Sequence, residues 1–231
     1  MNFNNNIKKE SYWKNIHLFN NYFLSELLKN RKKIYKIFLD KIQPTKKDKI
    51  LDIGATPTLA KYENFFVNEY PWKKNITCLS NVDCNILKSK FPEINVLIGD
   101  GRKTNLSKNS FDIVYSSAVI EHVGNFTNQV KFIKECIRLS KKKIFISTPN
   151  RYFPIDFHTK LPIIHMLPKN IHRKILDLLG DNFFQHEKNL NLLSKNDLIK
   201  ICQILNVKKY TLVSNKILFV KSNLLLIIEN N

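Results

Sequence analysis

The chain has 231 residues, of which 43% are apolar, and its formal net charge is +19. This length and apolar content suit one α/β domain with a sizeable core, and they exclude a wholly disordered chain. The charge invites a nucleic-acid or anionic-membrane partner. Lysine accounts for nearly all of it, whereas nucleic-acid readers favour the planar fork of arginine. We therefore interpret the charge mainly as a solvated surface and disfavour nucleic acid as a partner.

The four cysteines are scattered without a Cys-x-x-Cys pair. This pattern predicts reduced, mostly buried thiols, with neither a disulfide nor a zinc site. The first residues are polar and lack the apolar centre of a signal peptide, and the longest apolar run, 224–228, is too short to span a bilayer. We therefore expect a cytoplasmic protein, with a peripheral contact at the inner membrane face left open.

The N-terminal segment, residues 1–44, is predicted to be a helical cap. Apolar and aromatic residues recur at helical spacing over residues 11–41, and Pro44 ends the pattern. We expect this cap to pack on the core or to cover the ligand site. An amphipathic helix on an anionic membrane is the alternative.

Strands and helices alternate through residues 45–149, as a doubly wound, mostly parallel sheet requires. Right-handed crossovers place the carboxyl ends of such strands along one crevice, where ligands bind. The predicted strands are 49–54, 75–80, 94–98, 111–117 and 142–148, and the predicted helices are 57–69, 84–91 and 126–140.

The alternation stops at residues 150–193, a segment rich in aromatic residues and proline with a predicted helix at 169–179. A long irregular insertion is usually functional, and we expect this one to contact the substrate. Residues 194–231 are predicted to form a helix capped by Ser194 and two strands, near 207–214 and 217–229. No domain-sized linker separates these parts, so we expect a single domain.

Four short motifs carry the functional signal. An apolar strand ends in Asp52-x-Gly54, where glycine allows a sharp turn beneath a ligand. Gly99-Asp100-Gly101 follows a later strand, and Phe111-Asp112-Ile113-Val114 follows that, with Glu121-His122-Val123 close behind. This ordered set resembles the class I S-adenosylmethionine-dependent methyltransferases, most closely the small-molecule branch. The resemblance covers roughly residues 45–150.

The resemblance implies a Rossmann-like, seven-stranded sheet whose last strand is antiparallel, and S-adenosylmethionine as the cofactor. It implies that Asp52 organises the amino-acid end of the cofactor, that Gly54 permits the turn, and that Asp100 accepts from the adenine amino group. A salt bridge with Arg102 is the alternative role of Asp100. The other cofactor-binding candidates are Ala55, Thr56, Ser80, Asp83, Gly101, Ser116 and Ser117.

Two positions depart from the family pattern. Thr56 and Thr58 stand where the family usually has its second and third glycines. Because a β-branched residue cannot cheaply adopt a positive φ, this loop must differ in shape. The second strand ends in Ser80, where the family has an acid that accepts the ribose hydroxyls. Asp83 is then the nearest candidate for that role, and a helix N-cap is its alternative.

Glu121 and His122 are the acid–base candidates, because histidine takes up a proton near neutral pH. Methyl transfer needs such a base only when the acceptor must lose a proton, since alignment alone supplies of order 7–11 kcal/mol. No spacing of the histidines fits zinc, so no metal is predicted. The candidate substrate-binding residues are Asn150, Arg151, Tyr152 and His158.

We therefore predict methyl transfer to an oxygen or nitrogen atom of a small-molecule, glycan or lipid-linked acceptor. A degenerate fold that serves as a non-catalytic binding or scaffold module is the alternative. A nicotinamide-dependent enzyme is disfavoured because Gly-x-Gly-x-x-Gly is missing. The positive net charge is the only feature that supports interpreting the chain as a nucleic-acid methyltransferase. The sequence leaves the oligomeric state open.

Overall fold

The computed structural model describes residues 20–60, 62–217 and 219–230. Of the predicted N-terminal helices, residues 11–19 lie outside the described part. The rest forms one long helix, α1 (Asn20–Ile42). Its buried face includes Ile34, Phe38 and Ile42, and the Phe38 ring lies 5.3 Å from that of Tyr115 and 5.4 Å from that of Phe145. The helix therefore packs on the sheet through aromatic contacts.

A buried cluster of polar side chains also fixes α1. The Asn30 amide donates to Asn223 Oδ1 at 2.8 Å, and Asn30 Oδ1 accepts from the Asn215 amide. All three residues are buried. Buried amides are costly unless they are paired, so this network specifies where the helix sits on the sheet.

Seven strands form one sheet, and the predicted mostly parallel, Rossmann-like architecture is confirmed. The strands are β1 (Ile50–Ile53), β2 (Ile76–Ser80), β3 (Asn95–Ile98), β4 (Phe111–Ser117), β5 (Ser140–Pro149), β6 (Tyr210–Ile217) and β7 (Val220–Glu229). Their order in the sheet is β3-β2-β1-β4-β5-β7-β6. The first five pair in parallel, and β7 lies antiparallel between β5 and β6.

The described residues also form five further α-helices and three short 3-10 turns. Asn125 caps α4 by accepting from the Asn128 amide, and Ser194 and Asp197 form a capping box at the start of α6, where the sequence predicted a cap. The helices are α2 (Phe65–Glu69), α3 (Ile86–Lys90), α4 (Phe126–Leu139), α5 (Lys169–Leu178) and α6 (Lys195–Ile204), and the turns are Lys73–Asn75, Ile120–His122 and Ile164–Met166.

The predicted helix at 57–69 is wrong, because only its end, α2, is helical. The Asn64 side chain holds the preceding loop in a different shape. Its Oδ1 accepts from the Thr56 amide at 3.0 Å, and its Nδ2 donates to the carbonyls of Thr56 at 3.0 Å and Thr58 at 2.8 Å. Such side-chain bonds compete with the helical hydrogen-bond pattern. Within the described part of this loop, only Gly54 has a positive φ.

Two apolar clusters flank the sheet, one beneath α4 and α6 and one beneath α1, α2 and α3. The four residues of β1 are buried, as expected for a central parallel strand. All four cysteines are buried and free of disulfides, as predicted. Among the described helices, none combines the length and apolar character needed to cross a bilayer.

Candidate active site

The carboxyl ends of β1, β2, β3 and β4 meet at one edge of the sheet. Ile53 is in register with Leu79 on one side and with Ser116 on the other, and Ser80 is in register with Ile98. The predicted crevice therefore exists, and the loops that follow these strands line it. Ligands of open α/β sheets bind at such an edge.

Gly54 makes the turn at the end of β1 with a φ of +106°. Its amide donates to the Leu79 carbonyl at 2.8 Å, which ties the turn to β2. A Cβ atom at this position would lie 2.1 Å from Val119 Cγ2. Both the backbone conformation and the space therefore require glycine.

A cavity opens beside this turn and brings together Asp52, Gly54 and Ser117 of the predicted residues. It is completed by side chains that the sequence analysis missed: Arg31, Glu63, Asn64, Phe65, Phe66 and Tyr115. Arg31 comes from α1, far from the motif in sequence. Its one local signal is that it is the first arginine in a region whose other basic residues are lysines.

The cavity contains buried charged groups that the protein does not fully satisfy. Burial raises the pKa of the Asp52 carboxyl to about 7, against the opposing effect of the Arg31 charge. Burial likewise lowers the pKa of Arg31. Arg31 Nε and Thr56 Oγ1 are buried without a hydrogen-bond partner in the described part of the chain. Buried polar atoms without a hydrogen-bond partner are typical of a place where a polar ligand binds.

The amino-acid end of S-adenosylmethionine fits these groups. It carries a carboxylate, which suits the Arg31 guanidinium, and an ammonium group, which suits the Asp52 carboxylate. The observation that supports this fit is Arg31 Nε, a buried donor that belongs to a residue lining the cavity and has no hydrogen-bond partner in the described part of the chain.

The other predicted cofactor residues line the crevice further along. Asp100 makes a bidentate salt bridge with Arg102, whose Nη2 lies 2.6 Å from Asp100 Oδ2, and this contact lowers the pKa of Asp100. Asp83 accepts from the Asn85 amide at 2.7 Å. Asp100 thus makes the contact considered as its alternative role, whereas Asp83 does not cap α3, whose N-cap is Asn85. Ile98 at the tip of β3 is 65% exposed and offers an apolar surface beside Asp100.

Four of the predicted cofactor-binding residues make contacts within the protein. Ser116 is fully buried and donates to the Ile53 carbonyl at 3.1 Å, and Ser80 Oγ accepts from the Val82 amide at 3.3 Å. Ala55 is buried as well. A Cβ atom on Gly101 would lie 2.9 Å from Ile53 Cγ2, so glycine is needed there for packing. Ser117, in contrast, borders the cavity and bonds Ser147 Oγ at 2.7 Å.

A histidine–carboxylate cluster lies beyond β4. Glu121 and His122 occupy the 3-10 turn Ile120–His122, and the 150–193 insertion supplies His158. The two histidine Nε2 atoms are 3.1 Å apart, and Glu121 Oε1 lies 4.0 Å from that of His122 and 3.9 Å from that of His158. The negative charge of Glu121 raises the pKa of Arg31, as that of Asp52 does, against the larger effect of burial.

The cluster is rigidly supported. Glu121 is fully buried, its Oε2 accepts from Thr148 Oγ1 at 2.9 Å, and burial raises its pKa. His158 Nδ1 lies 3.0 Å from Asp156 Oδ1. Burial would raise the pKa of Asp156, but hydrogen bonds from His158 and Thr159 hold it below its usual range. The sequence analysis missed Asp156, although its place two residues before His158 is a local signal.

Some of the remaining candidate substrate-binding residues make structural hydrogen bonds within the protein. Asn150 bonds the backbone at Lys221 at 2.9 Å, and Arg151 donates to the carbonyls of His165 at 3.2 Å and Leu167 at 2.6 Å, which fixes the turn Ile164–Met166. Tyr152 is 56% exposed. Of the four, His158 alone is brought into contact with a predicted catalytic residue, His122.

Residues 72–146 match the protein family described as "Methyltransferase domain". No curated protein matches the sequence. Among solved structures, the PH0226 protein from Pyrococcus horikoshii OT3 is similar, with a TM-score of 0.58, 12% identity and coverage of 95% of each chain. At these identities the likeness concerns the fold.

Two further similar structures are those of methyltransferases. A SAM-dependent methyltransferase from Methanosarcina mazei has a TM-score of 0.52 and 11% identity, over 81% of this chain and 94% of that one. Magnesium protoporphyrin IX methyltransferase from Synechocystis PCC 6803, solved with bound SAH, has a TM-score of 0.52 and 10% identity, over 90% of this chain and 84% of that one. Residues 72–146 thus match a methyltransferase domain, and the chain has the Rossmann-like fold that these class I, S-adenosylmethionine-dependent methyltransferases share.

Proposed function

We propose that the protein transfers a methyl group from S-adenosylmethionine to an oxygen or nitrogen atom of its acceptor. The observation that carries this proposal is the cavity at the end of β1, where Asp52, Arg31 and Gly54 converge. S-adenosylmethionine supplies an electrophilic methyl group on a positively charged sulfur, which an acceptor lone pair displaces while the electron pair of the broken bond stays on sulfur.

The chain's residues have separate roles in this proposal. Arg31 and Asp52 bind the charged amino-acid end, and the Gly54 turn lets the backbone approach it closely. Asp100 and the exposed Ile98 side chain receive the adenine. Glu121 and His122, together with His158, face the acceptor and promote the loss of its proton. Holding the reacting atoms in line supplies much of the rate, which is why positioning residues matter here.

Replacing Arg31 by Met is expected to weaken binding of S-adenosylhomocysteine about 10- to 100-fold. The substitution removes the cation that pairs with the ligand carboxylate but keeps the apolar stem, and charge-assisted hydrogen bonds of this kind contribute about 1.5–3 kcal/mol. Isothermal titration measures the change. Lys33→Met, an exposed position on the same helix, is the matched control and should bind as the wild type does.

Equal affinity in Arg31→Met and Lys33→Met would contradict the cavity assignment. Absence of any binding by folded wild-type protein would favour the scaffold alternative. Such a protein would keep the fold without the activity.

For the acceptor, we favour a lipid-linked molecule presented at an anionic membrane surface. The 150–193 insertion next to the cluster holds more than half of the large exposed apolar side chains of the described chain. Lysines lie among them, and the net charge of +19 complements anionic headgroups. The exposed residues of the insertion are Tyr152, Ile155, Ile163, Leu167, Ile171, Leu178, Leu179 and Phe183.

The double variant Leu178→Ser/Leu179→Ser is expected to lower binding to vesicles of mixed neutral and anionic lipid about tenfold or more. These side chains are 87% and 62% exposed, so the change removes apolar area without disturbing the core. Flotation with vesicles measures the effect. Phe219→Ser removes an equally exposed apolar side chain outside the insertion and should bind as the wild type does. Unchanged binding of the double variant would exclude this surface.

A further inference from the structure

The contacts of Glu121, His122 and His158 fix where the protons of the two imidazoles lie. His122 Nδ1 is 2.6 Å from the Asn189 carbonyl oxygen, which can only accept, so this nitrogen carries a proton. His158 Nδ1 is 3.0 Å from the Asp156 carboxylate and donates to it in the same way. In a neutral imidazole the other nitrogen then presents a lone pair.

Two lone pairs and a carboxylate oxygen therefore converge on one point. The Nε2 atoms of His122 and His158 face each other at 3.1 Å. Glu121 Oε1 is buried without a hydrogen-bond partner, at 3.9 and 4.0 Å from these two nitrogens. Three acceptors this close repel one another unless a positive charge lies between them.

The ligand atoms have the arrangement of a metal site. Glu121 Oε1 and the two Nε2 atoms all lie within 4.8 Å of one another. Two nitrogens bound to one zinc ion at about 2.0–2.1 Å each are about 3.3 Å apart at the tetrahedral angle, close to the separation seen here. The carboxylate oxygen reaches the same ion with a shift of under about 1 Å.

The outer contacts are also those of a metal centre. Metal-bound histidines commonly donate their second ring nitrogen to a carboxylate or a backbone carbonyl, as His158 and His122 do with Asp156 and Asn189. Thr148 Oγ1 orients the second oxygen of Glu121. Each of the three ligands is thus fixed before an ion arrives.

We propose that Glu121, His122 and His158 form a divalent transition-metal site of zinc type, with an open position toward the acceptor. Two imidazoles and one carboxylate are a ligand set of catalytic zinc sites, which keep a position free for substrate. Magnesium fits poorly, because it prefers oxygen ligands and near-octahedral geometry.

This site deepens the proposed methyl transfer and rests on it for its purpose. An ion there binds an acceptor hydroxyl and lowers its pKa. The O–H bond breaks, the proton passes to solvent, and the electron pair stays on the oxygen, which becomes the nucleophile. The acceptor class is then one with a hydroxyl or phenol oxygen rather than an amine.

The test uses the full chain, stripped with a chelator and titrated with Zn²⁺ and with Co²⁺. We expect one equivalent of Co²⁺ to give the intense visible absorption of a low-coordinate site. We expect Glu121→Gln and His158→Asn each to weaken Zn²⁺ binding at least about 100-fold, more than the change of an outer-shell residue does. His186→Asn removes an exposed histidine outside the cluster and should keep wild-type affinity.

Two results would overturn the metal site. One is an absorption spectrum no different from that of aqueous Co²⁺, and the other is Zn²⁺ affinity in both cluster variants equal to that of His186→Asn. Circular dichroism checks that the variants fold, and two chemically different ligands are changed so that one misfolded variant does not decide the matter. Titration of the same samples with S-adenosylhomocysteine tests the cofactor cavity separately, so failure of one proposal is distinguished from failure of the other.

Discussion

Replacing Asp52 by Asn is expected to stabilise the folded protein above pH 7 while weakening cofactor binding at least about tenfold. The folded-state pKa of Asp52 is about 7, well above the value of about 3.9 for an unfolded carboxyl. The unfolded chain therefore ionises this group first as the pH rises. Folding stability falls between about pH 4 and pH 7, and the whole penalty is present above pH 7.

The size of the effect follows from this shift. A difference of about three pKa units corresponds to about 4 kcal/mol, and a buried amide with incomplete hydrogen bonding costs about 1–3 kcal/mol. The net gain expected for Asp52→Asn at pH 8 is therefore about 1–3 kcal/mol. At pH 4 the variant should show no gain, because Asp52 is then neutral in the folded state and only about half ionised in the unfolded one, which leaves a penalty smaller than the cost of the buried amide.

Urea unfolding at pH 4 and pH 8 measures the free energy of unfolding and so tests the predicted gain in stability. Titration with S-adenosylhomocysteine measures the loss of binding. The exposed Asp177 provides a control, and Asp177→Asn should change stability by less than about 0.5 kcal/mol. A variant less stable than the wild type at pH 8 would show that Asp52 contributes to folding rather than to ligand binding.

Replacing Gly54 by Ala is expected to destabilise the fold by about 3 kcal/mol or more. The new Cβ would lie 2.1 Å from Val119 Cγ2, and the backbone φ of +106° is strained for any residue with a side chain. Val119 cannot turn away cheaply, because a β-branched side chain is restricted at χ1. The turn beneath the cofactor must therefore move.

A matched substitution at Gly180 separates the cost of the strained backbone φ from the cost of the Cβ clash. Gly180 also has a positive φ, of +75°, but nothing lies within 4 Å of a Cβ built on it. Gly180→Ala should therefore cost only about 1 kcal/mol, the backbone part of the effect. The difference between the two variants, measured by urea unfolding, reports the clash.

The double variant Gly54→Ala/Val119→Ala tests the cause. Removing the Val119 methyl groups leaves its Cβ as the nearest atom, at 3.4 Å. The second substitution should therefore recover most of the clash energy in a double-mutant cycle. A purely additive cycle would show that Val119 is not the obstacle.

Sequence predicted the elements whose signals are local. The strands that end at Asp52-x-Gly54 and near Asp100 were placed within about two residues, because apolar runs bounded by turn residues indicate strands. The helix predicted at 57–69 failed because Asn64 bonds back to the backbone of Thr56 and Thr58, a contact that hydrophobic periodicity does not reveal.

Sequence analysis identified only those residues of the site that lie close together in the chain. Arg31 reaches Asp52 because α1 packs across the sheet, and no local pattern links residues so distant. The contact between the two histidines was not predicted for the same reason. His122 and His158 are 36 positions apart, whereas zinc motifs are recognised by short spacings. Both contacts depend on how distant segments of the chain pack against each other.

The position of Arg31 on α1 links cofactor occupancy to local unfolding. The helix is held by its aromatic face and by the Asn30 network, and the residue after Asn30 contributes to the cofactor cavity. Opening α1 therefore removes a ligand contact, and a filled cavity opposes that opening. At a ligand concentration 100 times the dissociation constant, the added free energy is up to about 2.7 kcal/mol. Amide hydrogens of α1 then exchange up to about 100-fold more slowly in the filled protein, and hydrogen exchange along the whole helix reports occupancy of the cavity.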